Sequence, residues 1–147
     1  MTQTAQVIAL SVAIVNGLAG LVSVVLWWRV DPQPFAWVLI RAGQAASVVQ
    51  ALAAGVLAAS GLKPADGLYW LYALLPVAVG FVAEQLRIVS AQTVLDAREL
   101  EDAQAVGRLP EAQQRSVVLQ IVRRELGVMS AAALVSAFLA LRAAGTV

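Results

Sequence analysis

Long uncharged runs constrain this chain more than any other feature. Residues 1–28, 42–62, 67–83 and 126–141 contain no Asp, Glu, Lys or Arg. A bilayer core of ~30 Å takes ~20 mostly apolar helical residues to cross. Four spanning helices are therefore predicted, over 5–28, 35–60, 68–88 and 123–141. The last two uncharged runs are short, and reach spanning length only with their flanking charges at headgroup level. The first run lacks a basic leading region and is too long for a signal-peptide core. Composition agrees, because 61% hydrophobic and 13% charged residues leave too little polar surface for a water-soluble domain. The predicted class is all-α: a four-helix transmembrane bundle whose third and fourth helices extend into a cytoplasmic helical hairpin. Residues 1–147 form a single integral membrane domain.

The connections are unequal. Pro32 and Pro34 separate the first two helices, and residues 61–67 separate the second from the third, where Asp66 is placed to cap. The third connection, residues 89–122, carries most of the charge. Apolar residues recur there at helical spacing, at Val94, Ala97, Leu100, Ala103 and Val106, then at Val118, Ile121, Val122, Leu126 and Met129. Gly107 suits the position just after a helix and Pro110 the first turn of the next. Arg98 has the spacing for ion pairs with Glu101 and Asp102. The third helix is thus expected to run from Gly67 to about Val106 and the fourth from Pro110 to about Ala144. Their excess over the bilayer, ~20 Å or more at 1.5 Å per residue, would project into water.

Lys63 and Arg142 fall on the side of the termini. Arg29, Arg41, Arg87, Arg98, Arg108, Arg115, Arg123 and Arg124 fall on the other. Positive charge concentrates in cytoplasmic loops, so both termini are expected outside and the hairpin inside. Tyr69, Trp70 and Tyr72 would mark the outer interface, and Trp27, Trp28 and Trp37 the inner one. Nine arginines to one lysine, with abundant alanine, point to a high-GC bacterial genome and hence to a bacterial plasma membrane.

Small residues let membrane helices approach closely. The second helix carries Gly43, Ser47, Ala51, Gly55 and Ala59, the first Ala9, Ala13, Gly17 and Gly20, and the fourth Ala132, Ser136, Ala140 and Ala144. These fit a tightly packed monomer or a homo-oligomer face. Pro76 should bend the third helix. Asn16 and Gln50 are intramembrane amides that need partners, either a hydrogen bond across the first hairpin or a polar path for a small solute.

One constellation could carry chemistry. Arg29, Arg41, Glu84, Arg87, Arg123, Arg124 and Glu125 form a belt near the inner bilayer surface, with Gln44 one turn deeper than Arg41. An intramembrane carboxylate needs a partner, and Arg41 or Arg124 is the expected one, with Arg87 as the local alternative. The cluster Arg41, Gln44, Glu84, Arg87 and Arg124 reads either as a structural charge pair or as a basic recess for an anionic lipid headgroup or substrate. The chain has no cysteine and no histidine. That removes thiolate and imidazole metal sites, Cys nucleophiles and the usual proton shuttle. There is no GxSxG and no phosphate-cradling glycine loop, and a net charge of +1 argues against nucleic acid. The acids Asp96, Glu99, Glu101 and Asp102 read as a solvated face. No catalytic residue, cofactor or metal is expected.

The segments Val82-Ala83-Glu84-Gln85-Leu86-Arg87, Ala91 to Arg98 and Arg123-Arg124-Glu125-Leu126-Gly127-Val128-Met129 resemble small, uncharacterised four-span membrane proteins of actinobacteria. The resemblance covers the second half of the chain and implies no activity. The function expected is non-enzymatic: an accessory, assembly or partner-docking subunit acting through its cytoplasmic hairpin. The alternative is a small oligomeric transporter or channel with a polar inner-leaflet recess around Glu84 and Arg41. An enzyme acting on lipid or isoprenoid substrates is the weakest reading. Expected partners are membrane lipids, including anionic headgroups, and a protein partner or further copies of the chain.

Overall fold

The computed structural model describes residues 1–147 and contains five helices and no strand: α1 Thr2–Trp28, α2 Pro34–Ala59, α3 Leu68–Ala97, α4 Ala103–Gly107 and α5 Glu111–Thr146. Four of them, α1, α2, α3 and α5, are long and apolar enough to cross a membrane. They pack in the cyclic order α1, α2, α3, α5, so that α5 touches both α1 and α3 and closes the ring. The start of α1, the end of α2, the start of α3 and the end of α5 share one cluster around Ala5, Ala54, Tyr69 and Ala143. Both termini and the 60–67 connection therefore lie at one end of the bundle. There the backbone N–H of Asp66 donates to the Thr146 carbonyl at 3.0 Å.

The interior is built from small residues and the outside from large apolar ones. Ala5, Ala9, Ala73, Ala140 and Ala143 are fully buried, whereas Leu18, Val38, Leu52, Phe81 and Phe138 are exposed. A water-soluble fold reverses this arrangement. In a membrane, lipid solvates the large side chains, and small ones let backbones approach. The approach is close at Gly20, Gly43 and Gly127. A Cβ on Gly20 would lie 2.7 Å from Leu134 Cδ2, and one on Gly127 would lie 2.9 Å from Trp27 Nε1. The four-residue stripe of α2 divides: Gly43 and Ser47 are buried against α1, while Gly55 and Ala59 are exposed.

Each of the first three long helices ends in the same way. In α1, Val30 has φ +56°, and the N–H groups of Val30 and Asp31 donate to Trp27 and Leu26 carbonyls. In α2, Gly61 has φ +87°, and Gly61 and Leu62 donate to Ala58 and Leu57. In α3, Glu99 has φ +56°, and Glu99 and Leu100 donate to Asp96 and Leu95. These are Schellman motifs, in which the N–H of a left-handed residue and that of the residue after it satisfy orphan carbonyls of the last turn. Only Gly61 adopts that conformation without a steric penalty.

The Glu99 motif corrects the predicted course of the third helix, which ends at Ala97 and not near Val106. Leu100 turns back onto Leu95, and together with Val106, Leu109 and Ile121 it packs on the buried Val94, Leu95 and Val117. Non-local burial outweighs the helical periodicity that continued through Leu100, Ala103 and Val106. Arg98 is likewise turned away from Glu101 and Asp102. Its guanidinium donates to Ser116 Oγ at 3.0 Å and Gln120 Oε1 at 2.8 Å on α5. Asp102 instead caps α4 by accepting from the Ala105 N–H. Gly107 is the last residue of α4, and Pro110 is the cap residue of α5 rather than its first helical residue. Asp66 Oδ1 accepts from the Leu68 N–H at 2.9 Å, but it lies one residue before the cap position of α3, which Gly67 occupies.

Candidate functional site

The charged belt condenses around one carboxylate. Glu84, on α3, is three-quarters buried, and three side chains donate to it. Arg41 Nη1 on α2 bonds Oε1, Gln44 Nε2 on α2 bonds the same oxygen at 2.9 Å, and Arg87 Nε on α3 bonds Oε2 at 3.0 Å. Arg41 Nη1 also donates to Gln44 Oε1 at 2.6 Å. Helical spacing sets both local pairs: Arg41 and Gln44 are three residues apart, as are Glu84 and Arg87. Arg87 continues the network to α5, where its Nη1 lies 3.6 Å from Glu125 Oε2. Its guanidinium carbon sits 5.9 Å from the centroid of the Trp37 ring. Two arginines and two carboxylates thus tie α2, α3 and α5 at one depth with no net charge.

Four of the five predicted cluster residues, Arg41, Gln44, Glu84 and Arg87, come together here. Arg124 does not. It is exposed on α5 and makes no ion pair, so Arg41 and Arg87 are the partners of Glu84. The arrangement also changes the chemistry open to the cluster. A basic recess needs unspent positive charge, and Arg41 and Arg87 are already neutralised. Glu84 has both oxygens occupied by donors, as suits a structural anion rather than a proton acceptor. Two participants that the candidate set omitted are Glu125 and Trp37. Glu125 was visible in the belt as an acid directly after two arginines. Trp37 lies four residues before Arg41, on the same face of α2.

Arg123 caps the belt on the α1 side, with its guanidinium carbon 5.4 Å from the Trp27 ring centroid. At the opposite end of the bundle, Arg142 stands 5.6 Å over Tyr72.

Deeper in the bundle lies a second polar group. Asn16 Nδ2 on α1 donates to the Gly43 carbonyl at 3.1 Å and to Ser47 Oγ at 3.3 Å on α2, as well as to its own Val12 carbonyl. The bond across the first hairpin therefore runs to Gly43 and Ser47. Gln50 is not its partner. Gln50 is 2% exposed, and neither its Oε1 nor its Nε2 has a hydrogen-bond partner. Beside Asn16 is an internal cavity of about 20 Å³, with Gln44, Ser47, Ser136 and Pro76 in its wall. That is room for one water, which needs ~10–15 Å³ and two or more polar partners. Gln44 faces both this cavity and Glu84, so the two polar groups adjoin. No three His, Cys, Asp or Glu side chains are close enough together to hold a metal ion.

The chain matches no family model, no curated protein and no solved structure.

Proposed function

We propose that this chain is a non-enzymatic, multi-pass protein of a bacterial plasma membrane that docks a protein partner through the segment beyond its charged belt. The carrying observation is that this segment has a core of its own. Val94, Leu95 and Val117 are buried there, and Arg98 clamps α3 to α5 through Ser116 and Gln120. A segment with so few residues gains little for the bundle by being ordered. Order of this kind supports presenting a surface. Next to the core, the first turns of α5 and Pro32 of the α1–α2 connection line a groove of about 550 Å³. It is lined by Val118, Leu119 and Val122 together with Glu111, Gln114 and Arg115. Apolar side chains flanked by polar and charged ones suit one amphipathic helix of a partner. The arginine bias supports a cytoplasmic position for this segment, with both termini outside.

The test is a photo-crosslinking residue at Leu119 in cells expressing the protein at native level. One discrete protein adduct is expected, lost when Val118→Asp and Val122→Asp are introduced together. Absence of any protein adduct at this position, with the protein correctly inserted, rejects docking here.

One observation favours a second reading, a small transporter. Glu84, Gln44, the internal cavity and Asn16 make a polar line into the bundle. Solute or ion flux into vesicles containing only this chain, abolished by Asn16→Leu, is the outcome that would favour it.

A further inference from the structure

A second groove, separate from the charged cluster and from the α5 docking surface, runs along the outside of the bundle between α3 and α5. It measures about 480 Å³, and every residue lining it is apolar, among them Val79, Val82 and Leu86 of α3 and Val128, Ala131 and Val135 of α5. From residue 78 to residue 86 it is ~12 Å long at 1.5 Å per residue. One leaflet of a ~30 Å hydrocarbon core is ~15 Å deep, so the groove matches one acyl chain in one leaflet.

What stands at its mouth decides the occupant. Arg124 lies four residues before Val128 and seven before Ala131, on the same face of α5. The contact between Arg87 and Glu125 levels α3 with α5 at that height and puts Arg124 in the plane of the charged belt. Among the other arginines of the belt, Arg41 and Arg87 are engaged by Glu84 and Arg123 by Trp27, and Arg29 follows α1, which does not line the groove. Arg124 is exposed and has no ion pair and no aromatic ring beneath it. On α3, Ser90 follows Leu86 by four residues on the same face, ~4.5 Å beyond Arg87 at 1.5 Å per residue, and adds a hydroxyl where the apolar lining stops.

We propose that the α3–α5 groove is a binding site for one anionic phospholipid, its acyl chain lying along the groove and its phosphate on Arg124. The site belongs to the leaflet on the side of α4. A second copy of the chain fits worse. A two-fold contact through this face would set two unpaired Arg124 side chains against each other.

Native mass spectrometry tests this on the purified full chain, exchanged into an equimolar mixture of phosphatidylglycerol and phosphatidylcholine of equal chain length. The wild type is expected to retain one phosphatidylglycerol in preference to phosphatidylcholine. Arg124→Gln should reduce that retention roughly fivefold, the factor corresponding to ~1 kcal/mol per basic residue at an anionic surface. Arg124→Lys should largely restore it. Ala131→Phe fills the groove and should lower retention of both lipids. Arg29→Gln removes an unpaired arginine elsewhere in the belt and should change nothing. Equal retention of the two lipids, or unchanged selectivity in Arg124→Gln, overturns the proposal. So does a dimer peak in the wild type that Ala131→Phe abolishes, because a second copy would then fill the groove. A matching melting temperature for each variant separates lost binding from lost folding.

Discussion

Replacing Gly43 by alanine probes the bundle where its polar interior is most committed. The added Cβ would lie 2.6 Å from Asn16 Oδ1 and 3.1 Å from Asn16 Cγ. Both are inside van der Waals contact by several tenths of an ångström, so either Asn16 turns or α1 and α2 separate. Turning Asn16 gives up its bonds to the Gly43 carbonyl and Ser47 Oγ. Interhelical bonds in membranes average ~0.6 kcal/mol each. Separating the helices instead costs what overpacking costs, ~1–3 kcal/mol. The gain in helix propensity from Gly to Ala is at most ~1 kcal/mol. Gly43→Ala should therefore destabilise the protein by about 1–2 kcal/mol in equilibrium unfolding in mild detergent, followed by far-ultraviolet circular dichroism. The structure also names the obstacle. In an Asn16→Ala background the Oδ1 and Cγ atoms are gone and the residue-16 Cα stands at an ordinary contact distance of 3.6 Å, so Gly43→Ala should be neutral or stabilising there. The double-mutant cycle should give a coupling of about 2 kcal/mol. Equal effects of Gly43→Ala in both backgrounds would refute the assigned contact.

Other outcomes follow from the same geometry. Glu84→Gln should lower stability by about 1–2 kcal/mol, less than for a fully buried pair, because Arg41 is half exposed and can reach headgroup level. A melt unchanged by Glu84→Gln would show that the three donors do not hold the helices together. Glu99→Gly removes a non-glycine residue from a left-handed position and should stabilise the segment beyond the belt by about 1 kcal/mol. The readout is slower amide exchange at residues 94–97, and faster exchange would contradict the helix ending described here. Val117→Asp places a charge in a fully buried position. It should open residues 94–121 to exchange while the spanning parts of α1 and α2 stay protected. In a chain without native cysteine, Gln3→Cys should react with an impermeant thiol reagent in intact cells and Gln104→Cys should not. The reverse pattern inverts the topology.

The four long helices were legible because the bilayer demands a quantity the sequence displays directly, a length without charge. The pairing of Arg41 and Arg87 with Glu84 was legible in part, since three- and four-residue spacing fixes which side chains of one helix share a face. Excluding Arg124 was not. Whether it points toward α3 or toward lipid depends on the rotation of α5, which is set by Gly20 against Leu134 and Gly127 against Trp27, contacts between residues distant in the chain. The end of α3 was hidden for a related reason. Its signal is normally a glycine, and Glu99 takes the left-handed position because burying Leu100 on Leu95 and Val117 compensates for it. Gln50 illustrates the reverse limit: its need for a partner was evident, yet no neighbour within the bundle meets it.

The two ends of the bundle are fastened independently. Near one, Tyr69 is packed in the cluster that joins α1, α2, α3 and α5, and the Asp66 N–H ties the start of α3 to the end of α5. Near the other, Glu84, Arg87 and Glu125 hold α2, α3 and α5 level. Tyr69 and Arg87 are separated by roughly 27 Å at 1.5 Å per residue. Helices pinned twice cannot tilt one by one, which is the usual accommodation to a bilayer of the wrong thickness. The bundle therefore acts as a fixed gauge. A thicker membrane must thin around it, at fractions of a kcal/mol per ångström of mismatch, and that penalty would draw the protein towards regions of bilayer whose hydrocarbon depth already fits.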